Sequence, residues 1–330
     1  MITVKELTKR YARNTAVDNI SFEVRKGQIV GFLGPNGAGK TTTMRVLTCF
    51  LPPTSGSAVV AGFDVLEQPL EVKRRIGYLP ESPPLYPEMA TTEYLTFVGQ
   101  LKGLSGADLR KRVDAVCDRC AIADVKTKLL GRLSKGYRQR VGLAQAIIHN
   151  PDVLILDEPT AGLDPKQINE TRDLIRKLGG DHTIILSTHI LSEVEQTCEQ
   201  VIIINKGKLV ATDSVHNLQN RARGAESVLV EVAGRNGALD PATVQERLAQ
   251  ISGVSGVVLK EKRDSRAIFE VETRKGGLVR GDLARAVVES GWDLNELRPA
   301  ARSLEEVFLQ LVGDESHAPA GGTAASGQKQ

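Results

Sequence analysis

Apolar residues in the first 220 positions of this chain fall into short uninterrupted runs. Ile29–Leu33, residues 153–156 and residues 201–204 are each four or five positions of apolar residues and glycine. Runs of this length are typical of parallel strands that are buried on both faces of a sheet. Between positions 91 and 149 the apolar residues follow the longer period of helices. The pattern therefore predicts an α/β domain that carries a helical subdomain at about 82–150.

A second pattern of elements follows residue 225. Strands are predicted at 228–232, 254–260, 267–273 and 293–298, and helices at 241–251, 278–290 and 303–312. The β-α-β-β-α-β order resembles a ferredoxin-like unit, which is a small α+β fold. We therefore predict a first domain at 1–220, a charge-rich linker at 220–224 and a second domain at 225–313. The remainder, 314–330, is rich in Gly, Ala and Ser and is predicted to be disordered.

The junction between the strand at Ile29–Leu33 and a helix predicted at 41–50 has the sequence of a phosphate-binding loop. The residues that match G-x-x-x-x-G-K-[ST], with the one that follows, are Gly34, Pro35, Asn36, Gly37, Ala38, Gly39, Lys40, Thr41 and Thr42. Backbone N–H groups and the helix dipole at such a junction attract phosphate oxygens, and glycines let the backbone approach them closely. We expect Lys40 to reach the β- and γ-phosphates and the Thr41 hydroxyl to bind Mg²⁺. A chance glycine turn is the alternative, which the flanking strand and helix disfavour.

Two adjacent carboxylates, Asp157 and Glu158, follow the apolar run at 153–156. The carboxyl ends of parallel strands are where α/β sheets bind ligands. Asp157 is placed to hold Mg²⁺, directly or through water, and Glu158 to polarise an attacking water. A solvated strand end is the alternative for this pair taken alone. Its position about a hundred residues after the phosphate-binding loop favours a metal and base site.

Between those two motifs lies the run Leu133, Ser134, Lys135, Gly136, Tyr137, Arg138, Gln139 and Arg140. It resembles the L-S-G-G-Q signature of ABC ATPases, from which Lys135 and Tyr137 depart. The run from Ala161 to Asp164 is similar to the D-loop of that family, and Ser187-Thr188-His189 is similar to its switch histidine. The resemblance covers residues 1–220, and the whole chain most resembles the ATP-binding subunit of an ABC-2-type exporter, as in drug export and gliding motility.

The resemblance implies roles for residues that spacing alone does not assign. Tyr11 would stack on adenine, and His189 would contact the γ-phosphate and position the water. Ser134 and Gly136 would meet the γ-phosphate of the other subunit in a head-to-tail dimer, either a homodimer or a dimer with a paralogous ATPase. Without the neighbouring motifs, Ser134 would be taken as an ordinary helix N-cap and His189 as a structural histidine.

The resemblance also implies a membrane partner. A separate integral membrane permease would bind the helical subdomain, and the chain would be cytoplasmic and peripheral on the inner face of the membrane. The sequence does not separate drug, lipid or polysaccharide as the exported substrate. Small domains such as the one predicted at 225–313 follow many exporter ATPases, and we favour a dimerisation or regulatory role for it over ligand binding.

Glu81 stands where the family has the glutamine of its Q-loop. A carboxylate at this position can still approach Mg²⁺, although it adds negative charge near the phosphates. The alternative is a solvated acid ahead of the turn at Pro83 and Pro84. We favour a position close to the metal.

Composition narrows the remaining alternatives. The net charge of +3 over 330 residues argues against a nucleic-acid partner. No apolar run approaches the length of a transmembrane helix. A GTPase would carry N-K-x-D, but the run Asn205-Lys206-Gly207-Lys208 lacks the aspartate. The four cysteines form no disulfide framework or metal-ligand pattern. A non-transport ABC ATPase that acts on the ribosome or DNA remains the alternative function, although such proteins usually carry two ATPase modules or long coiled coils.

Overall fold

A computed structural model describes residues 1–222, 226–235, 239–263, 265–273, 279–299 and 308. The described chain divides into two compact units between Val215 and His216. The predictions for 223–225, 303–307 and 309–330 lie outside the described residues, as does the predicted start of the helix at residue 278.

The first unit contains ten strands and the helices that connect them. The strands are β1 (Ile2–Tyr11), β2 (Asn14–Val24), β3 (Ile29–Leu33), β4 (Ser55–Val60), β5 (Phe63–Asp64), β6 (Ile76–Leu79), β7 (Val153–Asp157), β8 (Thr183–Thr188), β9 (Gln200–Asn205) and β10 (Lys208–Ser214). The helices are α1 (Lys40–Leu47), α2 (Pro69–Arg75), α3 (Thr91–Leu101), α4 (Gly106–Arg119), α5 (Lys135–Ile147), α6 (Pro165–Leu178) and α7 (Leu191–Thr197), with short 3-10 turns at Ala123–Val125 and Leu130–Arg132. Helix α8 (Val215–Ala222) begins at Val215 and continues into the second unit.

Two sheets form the layers of this unit. A six-stranded sheet has the order β10-β9-β3-β8-β7-β6, in which β10 pairs antiparallel to β9 and the other strands are parallel. An antiparallel sheet has the order β2-β1-β4-β5. Strands β3, β7 and β8 are buried along their whole lengths, as their uninterrupted apolar runs predict. The core between the sheets includes Val30, Phe32 and Ile155.

Helices α3, α4 and α5 form the helical subdomain and pack against one another. Each presents one apolar stripe to the others, and Leu95, Val116 and Leu143 are buried at these contacts. Ser134 is the N-cap of α5, and its hydroxyl accepts a hydrogen bond from the backbone N–H of Tyr137 at 3.4 Å. The signature run therefore begins a helix, as the sequence predicts.

Helix α1 is shorter than the sequence predicts. The apolar pattern predicts a helix to residue 50, but α1 ends at Leu47. The Thr48 hydroxyl donates a hydrogen bond to the Met44 carbonyl at 2.9 Å, and Cys49 takes a left-handed backbone conformation with φ 57°. A helix cannot continue through a residue in that conformation, so the apolar residues after Leu47 belong to the following loop.

The second unit is a four-stranded antiparallel sheet with two helices on it. Its elements are β11 (Glu226–Gly234), α9 (Pro241–Ala249), β12 (Val254–Arg263), β13 (Arg266–Thr273), α10 (Arg280–Glu289) and β14 (Trp292–Pro299). The strand order β12-β13-β11-β14 is that of a ferredoxin-like unit. Its core includes Val230, Leu248, Phe269 and Leu283. Across the described ranges of both units, we find no helix with the length and apolar content that a membrane span requires.

Candidate functional site

The carboxyl ends of three adjacent strands bring the sequence motifs together. Strand β8 pairs with β3 on one side and with β7 on the other, and Leu33 and Asp157 lie opposite Thr188 and Ser187. The loop after β3 is the phosphate-binding loop, β7 ends at Asp157, and His189 follows β8 directly. Residues that are more than 150 positions apart in the sequence therefore meet at one edge of the sheet.

The phosphate-binding loop depends on glycine for two different reasons. Gly39 has φ 104°, and a Cβ there would lie 2.4 Å from the Ala16 carbonyl oxygen. Gly34 needs no unusual φ, but a Cβ would lie 2.3 Å from the carbonyl oxygen of Ile204. Gly39 thus turns the chain into α1, while Gly34 lets the loop pack against the end of β9.

Lys40 is the first residue of α1, and its side chain lies inside the loop. Its ammonium donates to the carbonyl oxygens of Gly34 at 2.8 Å and Pro35 at 3.3 Å. It also lies 3.4 Å from Glu158 Oε1. The charge is almost completely buried, so it needs these partners. Phosphate oxygens in the loop are the kind of acceptor that this ammonium would bind.

Glu158 and His189 form a pair at the mouth of the loop. Glu158 Oε2 lies 2.8 Å from His189 Nδ1, and its side chain is 9% exposed against 44% for that of His189. The backbone N–H of Glu158 donates to the Ser187 carbonyl at 2.9 Å, and its φ is 49°. A non-glycine residue in this conformation is strained, and such strain is typical of functional sites. The carboxylate is thereby held between a lysine and a histidine.

Asp157 lies deeper than Glu158 and is incompletely paired. It is 1% exposed, and its Oδ1 atom has no hydrogen-bond partner. Burial raises the pKa of Asp157 above its ordinary value, and the hydroxyls of Ser187 and Thr41 oppose that rise only in part. An unpaired buried carboxylate oxygen beside the Thr41 hydroxyl fits a divalent cation, because both are the hard oxygen ligands that Mg²⁺ prefers.

No group of three or more His, Cys, Asp or Glu side chains in the described ranges is arranged to hold a metal ion by itself.

A buried carboxylate behind the site connects the two loops. Glu193 of α7 is 1% exposed and accepts hydrogen bonds from the hydroxyls of Thr160 at 2.5 Å and Thr188 at 2.8 Å. Thr160 lies two residues after Glu158, and Thr188 precedes His189. Glu193 therefore fixes the backbone on both sides of the Glu158–His189 pair. No sequence motif marks this residue.

The phosphate-binding loop and the Glu158–His189 pair line a cleft of about 490 Å³. Its lining includes Asn36, Gly37, Ala38, Gly39, Lys40, Thr41 and Thr42 of the loop together with Glu81, Glu158 and His189. It also includes residues that the sequence analysis does not assign to the site, which are Asn14, Thr15, Ala16, Ala161, Lys206 and Gly207. In the sequence, Lys206 and Gly207 belong only to the run that lacks the aspartate of a guanine motif. No local pattern predicts their contact with the phosphate-binding loop.

Five other residues that the sequence assigns to nucleotide binding do not line this cleft, namely Gly34, Pro35, Tyr11, Ser134 and Gly136. Tyr11 is 42% exposed, and the Lys9 ammonium lies 5.4 Å from its ring centroid. Ser134 is exposed at the start of α5, and Gly136 is buried there. A Cβ on Gly136 would lie 2.6 Å from Gln167 Oε1, so this glycine lets α5 pack against α6.

Comparisons with known proteins agree with this geometry. Residues 17–161 match the model of a family described as ABC transporter. The chain is 35% identical over 323 residues to the bacitracin transport ATP-binding protein BcrA of Bacillus licheniformis, covering 95% of this chain and 97% of that protein. It is 34% identical over 316 residues to the daunorubicin resistance ATP-binding protein DrrA3 of Streptomyces coeruleorubidus, covering 95% and 96% respectively.

Solved structures give the same assignment for the first unit. The structure of an ATP-binding subunit of an ABC transporter matches with a TM-score of 0.61 and 28% identity, covering 67% of this chain and 93% of that one. A dimeric bacterial ABC transporter cassette matches with a TM-score of 0.60 and 25% identity, covering 65% and 99% respectively. With the phosphate-binding loop, the Asp157–Glu158 pair and the signature helix on one fold, this chain belongs to the ABC transporter ATP-binding proteins and is an ATPase.

Proposed function

We propose that this chain hydrolyses MgATP in a head-to-tail dimer and thereby drives export through a separate membrane permease. One observation supports the head-to-tail dimer. The cleft is lined by the loop, Glu81, Glu158 and His189, whereas the signature residues Ser134 and Gly136 lie outside it. A nucleotide in this cleft would therefore meet the signature helix of a second subunit and not that of its own chain.

The residues of the cleft support definite roles in hydrolysis. Lys40 would exchange its carbonyl and Glu158 partners for the β- and γ-phosphate oxygens. Thr41 and Asp157 would hold Mg²⁺, which would offset the negative charge of the phosphates when bound. Glu81 lines the same cleft and would lie near that ion. Tyr11 would stack on adenine from outside the cleft.

Glu158 and His189 would align the attacking water. Once freed from Lys40, the Glu158 carboxylate accepts a hydrogen bond from that water and orients it towards the γ-phosphorus. His189 holds Glu158 through Nδ1, and its ring would contact the γ-phosphate. As the water oxygen bonds to the γ-phosphorus, the bond from phosphorus to the bridging oxygen breaks, Glu158 takes up the proton of the water, and ADP and phosphate are the products. Ser134 and Gly136 of the opposite subunit would contact the γ-phosphate through the N-terminus of α5.

Export is supported by the roles of two relatives, which are bacitracin transport and daunorubicin resistance. Both match nearly the whole chain, including the second unit. The partner in the dimer would be a second copy of this chain or a paralogous ATPase, and the chain would act on the cytoplasmic face of the membrane. A role on ribosomes or nucleic acid is disfavoured by the net charge of +3.

A groove beside the helical subdomain is a suitable surface for the permease. It has a volume of about 610 Å³ and is lined by Arg45, Lys73 and Lys102, while none of its described lining residues carries a carboxylate. Phe50, which is 70% exposed, also lines it. These features favour a cytoplasmic segment of the permease that combines an apolar side chain with a carboxylate.

Purification of the tagged chain from membranes in mild detergent tests this function. We expect a polytopic membrane protein to co-purify and to raise ATP turnover. Phe50→Asp should abolish co-purification and leave the turnover of the isolated chain unchanged, because Phe50 lines the groove and not the nucleotide cleft. Leu66→Asp is the matched control, since Leu66 is 60% exposed and does not line the groove. Recovery of ribosomes or nucleic acid instead of a membrane protein would contradict the proposal.

A further inference from the structure

The turn between β9 and β10 contains a lysine in an unfavourable backbone conformation. Asn205 pairs with Lys208, so the loop consists of Lys206 and Gly207 alone. Their φ angles are 46° and 80°. A two-residue hairpin with both φ angles positive is a type I′ turn, which favours asparagine followed by glycine. Lysine at the first position pays a steric cost that asparagine largely avoids.

This turn is attached directly to the phosphate-binding loop. The backbone N–H of Gly207 donates to the Ala38 carbonyl at 2.9 Å, and the Gly207 carbonyl accepts from the Asp18 N–H at 2.8 Å. A Cβ on Gly207 would lie 3.0 Å from the Ala16 carbonyl oxygen. These contacts fix the turn relative to the phosphate-binding loop. Both residues of the turn line the nucleotide cleft.

The charges of the cleft give Lys206 a role. Lys40 and Lys206 are the lysines among the described lining residues, and Glu81 and Glu158 are the carboxylates. The Lys40 ammonium is already 3.4 Å from Glu158. Glu81 adds a negative charge that the usual glutamine would not. Lys206 is exposed and forms no ion pair within the described chain, so its charge is available to a polyanion.

We propose that Lys206 is a nucleotide-binding residue that holds the polyphosphate of the bound nucleotide by charge attraction. This inference rests on the proposed nucleotide site but assigns it a residue from outside the family motifs. Lys206 acts on ATP and ADP alike, because it makes no contact with the reacting water or with Glu158. It raises affinity without changing the rate of the chemical step.

The test compares Lys206→Asn with the wild-type chain. Asparagine suits the turn, so the variant should be at least as stable as wild type in thermal unfolding. We expect ATP and ADP to bind the full-length chain about 2- to 5-fold more weakly at low salt, which is the upper part of the range of an exposed ion pair. The loss should shrink at high salt, and kcat should stay within about twofold.

Two further variants separate charge from structure. Lys206→Arg should keep wild-type affinity, because it keeps the charge. Lys208→Asn removes an equal charge from the same hairpin, but Lys208 does not line the cleft and lies 3.9 Å from Asp18, so its affinity should stay as in wild type.

Wild-type affinity of Lys206→Asn for both nucleotides, or an equal loss in Lys208→Asn, would overturn the assignment. Failure of the wild-type chain itself to bind ATP would instead overturn the proposed function.

Discussion

At the scale of single residues, the site is built from charges that are buried before any ligand binds. Asp157 and Glu158 are adjacent carboxylates with different surroundings. Glu158 lies between Lys40 and His189, whereas Asp157 Oδ1 has no partner. Burial of an incompletely paired carboxylate costs free energy, and binding of a cation would recover it. At Asp157, the buried carboxylate lowers the stability of the folded protein, whereas metal binding requires that carboxylate.

Asp157→Asn should therefore raise the stability of the protein and lower its activity. Burial raises the pKa of Asp157, so the folded protein binds its proton more tightly than the unfolded chain does. Between the unfolded and the raised folded pKa, the stability of the nucleotide-free protein therefore falls as pH rises, and the deficit persists at higher pH. The neutral asparagine removes this deficit, so the variant should unfold at a higher temperature than wild type at pH 7. Its Mg²⁺-dependent ATP turnover should fall at least on the order of a hundredfold.

Glu81→Gln is the matched comparison for that experiment. Its carboxylate is exposed, and glutamine keeps a carbonyl oxygen towards the metal, so turnover should stay within a few-fold of wild type. Calorimetry without nucleotide and a turnover assay at several Mg²⁺ concentrations measure both effects. A nucleotide-free Asp157→Asn protein that is less stable than wild type would contradict the account of the unpaired oxygen.

At the scale of elements, the helical subdomain is joined to the sheet at the end of α5. His149 lies two residues after α5, and its Nε2 atom is 3.0 Å from the Ile76 carbonyl at the start of β6. The Gln145 amide donates to the Tyr78 carbonyl at 2.8 Å on the same strand. These contacts hold α5 against the strand that leads to Glu81.

His149 predicts a pH dependence of stability. Burial, assisted by the charge of Lys102, lowers the pKa of His149 to about 4 from an ordinary 6.5. The unfolded chain therefore takes up this proton at a higher pH than the folded protein, and stability is lost as pH falls below the unfolded value. Wild type should lose about 2 kcal/mol of unfolding free energy from this group between pH 7 and pH 5.

Urea unfolding of His149→Gln at the two pH values measures this contribution. Glutamine can still donate a hydrogen bond to the Ile76 carbonyl but does not titrate, so the variant should lose about 2 kcal/mol less than wild type over that range. His216→Gln is the control, because it makes the same substitution at an exposed histidine. An unchanged loss in His149→Gln would show that another group carries the effect.

The sequence predicts the strands of the first unit better than it predicts the end of helix α1 or the contacts between side chains of different elements. Buried parallel strands such as β3 and β7 have short uninterrupted apolar runs, which predict them well. The sequence predicts the end of α1 too late, because the apolar residues of the following loop look like those of a helix. Glu193 and Lys206 were missed because their roles arise from contacts across the sheet. No local pattern marks a side chain whose partners are 33 residues away, as Thr160 is from Glu193.

At the scale of the whole molecule, the first unit holds one nucleotide cleft and one signature helix that does not reach it. Ser134 is exposed at the N-terminus of α5, and the Lys40 cleft is open to solvent where a second subunit would close it. The family relation makes the chain an ATPase, and the separation of these two features within one chain is the structural reason to expect a head-to-tail dimer.

Complementation between two inactive chains tests this arrangement most directly. Lys40→Ala removes the ammonium from the cleft, and Ser134→Arg blocks the signature surface, so each homodimer should be inactive. A mixed dimer of the two variants has one composite site with both native residues. An equal mixture should therefore recover ATP turnover up to about a quarter of the wild-type value, since half of the dimers are mixed and each has one of two sites intact.

The control is a chain that carries both substitutions, mixed with wild type. Every composite site in that mixed dimer has one defect, so only the wild-type homodimers should contribute turnover. Recovery in the first mixture and none beyond the homodimers in the second is the result that a head-to-tail dimer predicts. A mixture of the single variants with no more turnover than the two proteins measured apart would contradict it.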